Sequence, residues 1–290
     1  MILSFEYVKE KAEKLREIVI EFEKKIYDTW WDNLGEKYDV LRDYEFAPLI
    51  ATICDWKIDA SDAWSIPWWI LKNVGSLDPD KILSADIKKI LKSYFDSKQG
   101  KFPPYMKSKD RDNWLRKTSE YLKESLMYFK NENTTPVKMF ENREYDVIEV
   151  YFMLRKISGI GSKKASMIVR DFIHRTKNLV KRHPWFDQIK KRNPKFAVVG
   201  EDKTIVPIDV HAVKVFNRIF GRKYGNWRRE QEQHWWDLDI QLFSRLVFPE
   251  YPARLDLLLW YIGNRFCNSN WKNANCNECY LRQICNSSKY

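Results

Sequence analysis

The sequence predicts an all-α protein, and three features of the chain predict that class. Apolar residues recur at helical spacing along most of its length, clusters of glycine and proline separate the helical stretches, and no segment alternates apolar and polar residues over a useful strand length. With 290 residues, 44% apolar content and 13 Trp, the chain can bury a substantial core in one large or two modest domains.

Composition and charge restrict the compartment and the partner. The formal net charge is +11, which favours a polyanionic partner, although a lysine-rich solvated surface gives the same sum. The apolar runs are too short to cross a bilayer, and the first residues lack a basic segment followed by a long apolar core. We therefore expect a cytoplasmic protein that uses no membrane. Few Gln beside many charged and aromatic residues suit a thermophile.

Helices are predicted in order along the first half of the chain. Residues 4–38 are mostly helical. Their apolar stripe consists of Phe5, Val8, Ala12, Leu15, Ile18, Val19, Phe22 and Ile26. A second helix begins at Tyr44 and is interrupted at residues 55–62. Between residues 66 and 129, further helices are separated by breakers at 75–79 and 100–104.

A tight turn at residues 157–161 joins two helices. The apolar stripe before the turn is Val147, Ile148, Tyr151 and Leu154, and the stripe after it is Ala165, Ile168, Val169, Phe172 and Ile173. Gly159 and Gly161 permit positive φ and leave no side chain over the turn, so backbone N–H groups can face an anion at the positive end of the second helix. The turn alone does not choose between a phosphate site and an ordinary αα-turn.

Two further motifs follow the turn. Asp209 opens a predicted helix after Pro207, where a carboxylate also serves as an N-cap. Near the end, Cys267, Cys276, Cys279 and Cys285 form the pattern C-x8-C-x2-C-x5-C. Four thiolates at this spacing can surround a zinc ion or a 4Fe-4S cluster, and the spacing does not decide between them. Cys54 lies in an apolar helix and is predicted to be a core residue.

Together these motifs resemble the helix-hairpin-helix (HhH-GPD) DNA glycosylases, most closely the endonuclease III branch with its iron-sulfur cluster loop. The turn that carries the likeness is Gly159-Ile160-Gly161-Ser162-Lys163-Lys164-Ala165, and the second motif is Ile208-Asp209-Val210-His211. The resemblance implies a helical barrel at 46–173 that ends in the helix-hairpin-helix at 147–173. It implies a second helical domain formed by 1–45 and 205–290, with the cysteine cluster loop at 267–285. We expect a prokaryotic, nucleoid-associated monomer.

The resemblance also implies where the chemistry occurs. Lys163 matches the nucleophile of the bifunctional members, whose amine attacks C1′ of a flipped-out nucleotide, displaces the base and forms a Schiff base that permits elimination of the 3′ phosphate. The amine must be neutral, and the helix N-terminus and Lys164 both disfavour its protonated form. Asp209 matches the carboxylate that stabilises positive charge on the sugar. The expected partner is double-stranded DNA with a damaged base, an oxidised pyrimidine first, or with an abasic site.

Further residues are expected to contact DNA: Gly159, Gly161, Ser162 and Lys164 in the hairpin, Trp56 and Lys57 at the place of the family's wedge loop, and His211. For Trp56 a core position is the favoured alternative, because a wedge must be exposed. Ser158 stands where the family usually has proline, which predicts a less stiff turn. At the four cysteines the resemblance favours a structural 4Fe-4S cluster over zinc.

The segment 174–204 departs most from the family, whose connection is shorter. It mixes basic residues with aromatic ones: Lys177, Lys181, Arg182, Lys190, Lys191, Arg192 and Lys195 with Trp185, Phe186 and Phe196. This basic insertion could hold phosphates and stack a base, but a plain surface insertion is the favoured prediction.

The predicted function is thus base excision with abasic-site (AP) lyase activity. Two alternatives stay open: a monofunctional glycosylase for mismatched or deaminated bases, and a DNA-binding module without catalysis.

Overall fold

The computed structural model describes residues 4–26, 33–97, 99–221, 230–267 and 274–286. Its α-helices are α1 (Phe5–Ile26), α2 (Glu36–Asp43), α3 (Ala47–Cys54), α4 (Ala60–Val74), α5 (Pro79–Leu83), α6 (Ile87–Asp96), α7 (Ser108–Asn131), α8 (Val147–Arg155), α9 (Ser162–Thr176), α10 (Pro184–Arg192), α11 (Val210–Ile219), α12 (Glu230–Val247) and α13 (Asp256–Arg265). Two short strands, β1 (Glu144–Asp146) and β2 (Ala197–Val199), pair in parallel. The predicted all-α class is confirmed. Among the described residues, no helix combines the length and apolar character of a bilayer span.

The chain divides into two compact units. The first comprises the described residues within 1–27, 166–170 and 200–290, and the second those within 28–165 and 171–199. This division differs from the predicted domains in three segments. Residues 166–170, predicted in the helical barrel at 46–173, belong with the first unit. The region 28–45 belongs with the second unit, because α2 packs against α3 and α4, and most of the segment 174–204 belongs there too.

The core of the second unit is built around α3, which is buried at every position from Ala47 to Cys54. Its partners are α4, which ends at Gly75 in the left-handed conformation, and α7. Trp114 of α7 is fully buried, and its indole N–H donates to the carbonyl oxygen of Trp56 at 2.7 Å. The burial of Cys54 confirms its prediction as a core residue.

The segment 174–204 is part of this core, so its prediction as a plain surface insertion is wrong. Trp185, Phe186 and Phe196 are buried against Phe172. The strand β2 lies in the same segment and pairs with β1. These rings are inside the unit and unable to stack on a base. The exposed cations of α10 and the following turn lie on its outer side: Lys190, Lys191, Arg192 and Lys195.

The core of the first unit joins α1 to α11, α12 and α13. From α1 it includes the predicted stripe residues Ala12, Leu15, Val19 and Phe22, whereas Phe5 of the same stripe is 58% exposed. Residues 27–32 of the predicted helical stretch lie outside the described part.

A glycine sets the distance between two helices of the first unit. A Cβ atom on Gly263 of α13 would lie only 2.5 Å from the Cβ atom of His211 in α11, so only glycine permits this contact. The buried ammonium of Lys214 donates to the carbonyl oxygen of Gly263 at 2.7 Å. The unit also contains a buried ion pair between Arg170 and Asp256.

Candidate functional site

The predicted hairpin forms between α8 and α9, and its tightest point is Gly159. Gly159 has φ +80°, and a Cβ atom there would lie 2.9 Å from the Cβ atom of Tyr121 and 3.1 Å from Cγ2 of Ile53. Both the backbone conformation and the close packing therefore require glycine at this position. Asp146 caps the first helix of the hairpin by accepting from the N–H of Ile148 at 2.9 Å.

Gly161 differs from the prediction, because it does not use a positive φ. It is the N-cap of α9 with φ −78° and ψ 179°, an extended conformation open to any residue. A Cβ atom on Gly161 would meet only Nη1 of Arg155, at 3.7 Å. The absence of a side chain at this exposed N-cap leaves room for another molecule to approach the first N–H groups of α9.

The turn at Ser158 was predicted to be less stiff, but two hydrogen bonds with residues of α7 constrain it. The hydroxyl of Ser158 donates to the carboxylate of Glu124, and its carbonyl oxygen accepts from the hydroxyl of Ser125 at 2.7 Å. Side chains of α7 thus constrain the turn at Ser158.

The two lysines of the hairpin face different surroundings. Lys163 lies in the first turn of α9 and its side chain is exposed, as is Ser162. The next residue, Lys164, is mostly buried, and its ammonium donates to the carbonyl oxygens of Ile53 at 2.8 Å and Gly159 at 3.1 Å. The expected contact of Lys164 with DNA stays a prediction. Burial lowers the pKa of Lys164 to about 8, and the nearby Asp55 opposes that shift.

Exposed cations flank the turn. Arg155 and Lys156 at the end of α8 are exposed, and Nη1 of Arg155 donates to the carbonyl oxygen of Ile160 at 3.2 Å. Together with Lys163 they place positive charge around the N-terminus of α9, where the helix dipole has the same sign. This surface is suited to phosphate, with the carboxylate of Glu124 as the nearby opposing charge.

In the loop at residues 55–59, the side chain of Trp56 packs against α7. Its indole N–H donates to the hydroxyl of Thr118 at 2.9 Å, and its ring lies against Trp114. These contacts favour the core alternative over the wedge. Lys57 is exposed at φ +61°, a conformation that is strained for a side chain of this type.

The exposed aromatic side chain at this loop is Tyr105, which the sequence analysis missed. It is 73% exposed, and its hydroxyl lies 3.4 Å from the carbonyl oxygen of Lys57. It directly follows Pro103 and Pro104, which predict a loop. The sequence does not indicate that this loop lies beside Lys57.

In the first unit, Asp209 is the N-cap of α11. One of its carboxylate oxygens accepts from the backbone N–H groups of His211 at 2.8 Å and Ala212 at 2.9 Å. The cap fixes this carboxylate at the N-terminus of α11. Lys163 and Asp209 belong to different units, and their predicted cooperation stays a prediction.

The four cysteines lie in the last part of the first unit. Burial is the main cause that raises the pKa of Cys279, to about 11. The guanidinium of Arg218 donates to the sulfur of Cys267 at 2.9 Å. In the described part of the chain, no three or more His, Cys, Asp or Glu side chains are grouped closely enough to hold a single metal ion.

Comparisons with known proteins find a structural likeness only. No family model matches the chain, and no curated protein matches it. The chain is similar to a solved structure of endonuclease III trapped as a covalent intermediate with DNA, in an estranged-adenine complex. The two chains are 12% identical, the TM-score is 0.49, and the match covers 88% of this chain and 93% of that chain.

Proposed function

We propose that the protein is a DNA glycosylase with AP-lyase activity that belongs with the helix-hairpin-helix enzymes of the endonuclease III type. The observation that carries the proposal is the hairpin itself. Gly159 makes a turn that only glycine permits, an open N-cap follows at Gly161, and Lys163 is exposed in the first turn of the next helix. These features place an exposed amine and an open helix N-terminus, which is suited to bind phosphate, within a few residues of each other.

The hairpin would bind the DNA backbone beside the target nucleotide. Backbone N–H groups at the start of α9 would donate to phosphate oxygens, and the cations of Arg155 and Lys156 would add sequence-independent affinity. A base inside a duplex is out of reach of an amine, so the target nucleotide must leave the stack. The exposed Tyr105 and Lys57 are suited to contact the bases or phosphates that this extrusion exposes.

Lys163 would act as the nucleophile. Its neutral amine attacks C1′ while the bond between C1′ and the base breaks, and the base leaves with a proton. Opening of the sugar ring gives an imine between Lys163 and C1′. Loss of a proton from C2′ then expels the 3′ phosphate, which cleaves the strand, and water releases the lysine. Asp209 would stabilise positive charge on the sugar and assist the proton transfers.

The four cysteines would hold a 4Fe-4S cluster. What supports this proposal is the donor set: four cysteines on one short segment, 267–285, with the guanidinium of Arg218 donating to the sulfur of Cys267 at 2.9 Å. Bound to Cys267, Cys276, Cys279 and Cys285, the cluster would cross-link the end of the chain as a structural element. Iron, sulfide and zinc analysis of the purified protein distinguishes the cluster from a zinc site. Stoichiometric zinc without iron would exclude the cluster.

The activity is tested with duplexes that each contain one lesion or an abasic site. Oxidised pyrimidine, 8-oxoguanine, hypoxanthine and a mismatch are scored separately for base release and for strand cleavage. Borohydride reduction should trap a covalent protein–DNA complex, which Lys163→Ala abolishes and the control Lys88→Ala, on the exposed surface of α6, retains.

The outcomes separate the candidate functions. Base release without trapping would identify a monofunctional glycosylase. Binding without base release or cleavage would identify a DNA-binding module. If Asp209→Asn were as active as the wild-type protein, Asp209 would have no part in catalysis.

A further inference from the structure

Within the described residues, one carbonyl group in the last turn of α3 receives no backbone N–H, and the side chain of Lys164 donates to it instead. The final four carbonyl groups of an α-helix have no partner within the helix. Here the carbonyl oxygens of Ala51 and Thr52 accept from the N–H of Asp55, and that of Cys54 accepts from the N–H of Trp56 at 2.8 Å. The remaining carbonyl, that of Ile53, accepts from the ammonium of Lys164 at 2.8 Å. A cation at this helix end is also favoured by the helix dipole.

The same ammonium reaches the hairpin turn. It donates to the carbonyl oxygen of Gly159 at 3.1 Å, while the side chain of Ile53 packs under the same glycine. One side chain at the third position of α9 therefore fastens the turn before that helix to the end of α3. Since Gly159 sets the direction of the chain into α9, this contact also fixes the first turn of the helix that presents Lys163.

We propose that Lys164 is a positioning residue, which holds the hairpin turn and the first turn of α9 in the geometry that binds a DNA phosphate and presents Lys163. This inference rests on the proposed function for the identity of the ligand. Lys164 acts through the backbone of the turn and does not touch DNA.

A lysine serves this position better than an apolar residue of the same length. Methionine would leave the partly buried carbonyl oxygens of Ile53 and Gly159 without this donor, and a carbonyl that loses its partner away from water is costly. Burial favours the neutral amine of Lys164, but a neutral amine still has two N–H groups, enough for both carbonyls. The contact to the turn therefore persists in either protonation state.

The test compares Lys164→Met with wild type and with Lys88→Met, a control on the exposed surface of α6. Affinity for a duplex with an abasic site is measured as a function of salt, and borohydride trapping at saturating DNA gives the rate of imine formation. We expect the trapping rate of Lys164→Met to fall by roughly 10- to 100-fold, since misplacing a reacting group by about 1 Å costs up to about 100-fold. The salt slope should not change, whereas loss of a direct phosphate contact lowers it by about 0.9.

Hydrogen exchange gives a second readout that needs no DNA. Amide groups of residues 157–165 should exchange faster in Lys164→Met than in wild type or Lys88→Met, because the turn has lost its tie to α3. Lys164→Gln, which keeps an amide donor but is too short to reach both carbonyls, should show a smaller effect in both assays. If Lys164→Met does not fold, the comparison is made with Lys164→Gln.

Each result has one interpretation. A variant with wild-type trapping and wild-type exchange overturns the positioning role, and a salt slope lowered by about 0.9 overturns it in favour of a direct phosphate contact. If the wild-type protein forms no trapped complex while exchange in the hairpin responds to Lys164→Met, the proposed lyase fails and the structural tie stands.

Discussion

Replacing each of three glycines by alanine separates two reasons for glycine in this fold. Gly159 combines φ +80° with a space too small for a Cβ atom. Gly75, at the end of α4, has φ +78° but nothing within 4 Å of the added Cβ atom. Gly161 has neither constraint, because its φ is −78° and the nearest atom is 3.7 Å away. The three positions therefore form a matched series.

The expected losses of stability follow from these distances. A left-handed conformation costs a residue with a Cβ atom about 1 to 2 kcal/mol, which is the whole effect for Gly75→Ala. At Gly159 the contacts at 2.9 Å and 3.1 Å add overpacking. Overpacking of a tight core typically costs a further ~1 to 3 kcal/mol, which gives about 2 to 5 kcal/mol in total for Gly159→Ala. Gly161→Ala should cost under about 1 kcal/mol, because alanine is less favourable than glycine at a helix N-cap but meets no backbone strain or close contact here.

Urea unfolding followed by circular dichroism measures these differences as shifts of the midpoint at constant slope. The expected order of destabilisation is Gly159→Ala, then Gly75→Ala, then Gly161→Ala. Equal losses at Gly159 and Gly161 would show that the two glycines serve the turn alike and would refute the reasoning from φ and packing.

The same series tests what the open N-cap is for. Gly161→Ala should retain stability but bind an abasic-site duplex more weakly, because the methyl group occupies the approach to the first N–H groups of α9. Gly75→Ala should show the opposite result, with lower stability and unchanged affinity. A Gly161→Ala protein with wild-type affinity would mean that no phosphate approaches the hairpin there.

Three further predictions concern other parts of the chain. Asp256→Ala should destabilise the protein by about 3 to 5 kcal/mol in urea unfolding, since it removes a carboxylate that pairs with the buried guanidinium of Arg170. Asp96→Ala, which breaks an exposed ion pair, should cost under about 1 kcal/mol. The pKa of Lys164 is lowered to about 8 from its ordinary value of 10.5, so the unfolded chain binds more protons than the folded one between these values. The unfolding free energy of wild type should therefore rise relative to Lys164→Met as the pH increases through this window, and a constant difference would contradict the shift. Tyr105→Ser should weaken binding to an abasic-site duplex by roughly 5-fold or more in fluorescence anisotropy. Tyr105→Phe should bind like wild type, because stacking uses the aromatic ring. If Tyr105→Ser binds as tightly as Tyr105→Phe, the ring does not stack on a base.

The helices around the hairpin could be predicted because their apolar residues are buried on one face. After the turn, Ala165, Ile168, Val169, Phe172 and Ile173 are all buried, as the helical spacing predicts. Before it the prediction was less accurate. Ile148 is 48% exposed, and the buried residues are Val147, Val150, Leu154 and Ile157. Apolar residues on two faces of α8 leave the spacing ambiguous, and tertiary packing decides which face is inside.

The segment 174–204 could not be placed from sequence for a different reason. Its strand, β2, has three residues, too few for an alternation pattern, and its partner β1 is distant in the chain. Gln188 shows the same limit, because its amide donates to the carbonyl oxygens of Leu41, Arg42 and Tyr44 at the end of α2. A side chain that donates to the last carbonyl groups of a distant helix leaves no pattern in its own local sequence. The basic residues of 174–204 were therefore its most evident sequence feature, although much of the segment packs in the core.

Lys163 and Lys164 show why the candidate site was only partly predictable. Successive residues of a helix point in directions about 100° apart, so adjacent lysines meet different environments. The spacing from Gly161 singles out Lys163, but nothing in the local sequence states that the end of α3 brings the carbonyl oxygen of Ile53 to Lys164. The pair therefore divides two requirements of the proposed chemistry: an accessible amine, and a turn held firmly enough to present it. The two residues carry the same side chain, so their different roles follow from the face of α9 on which each one lies.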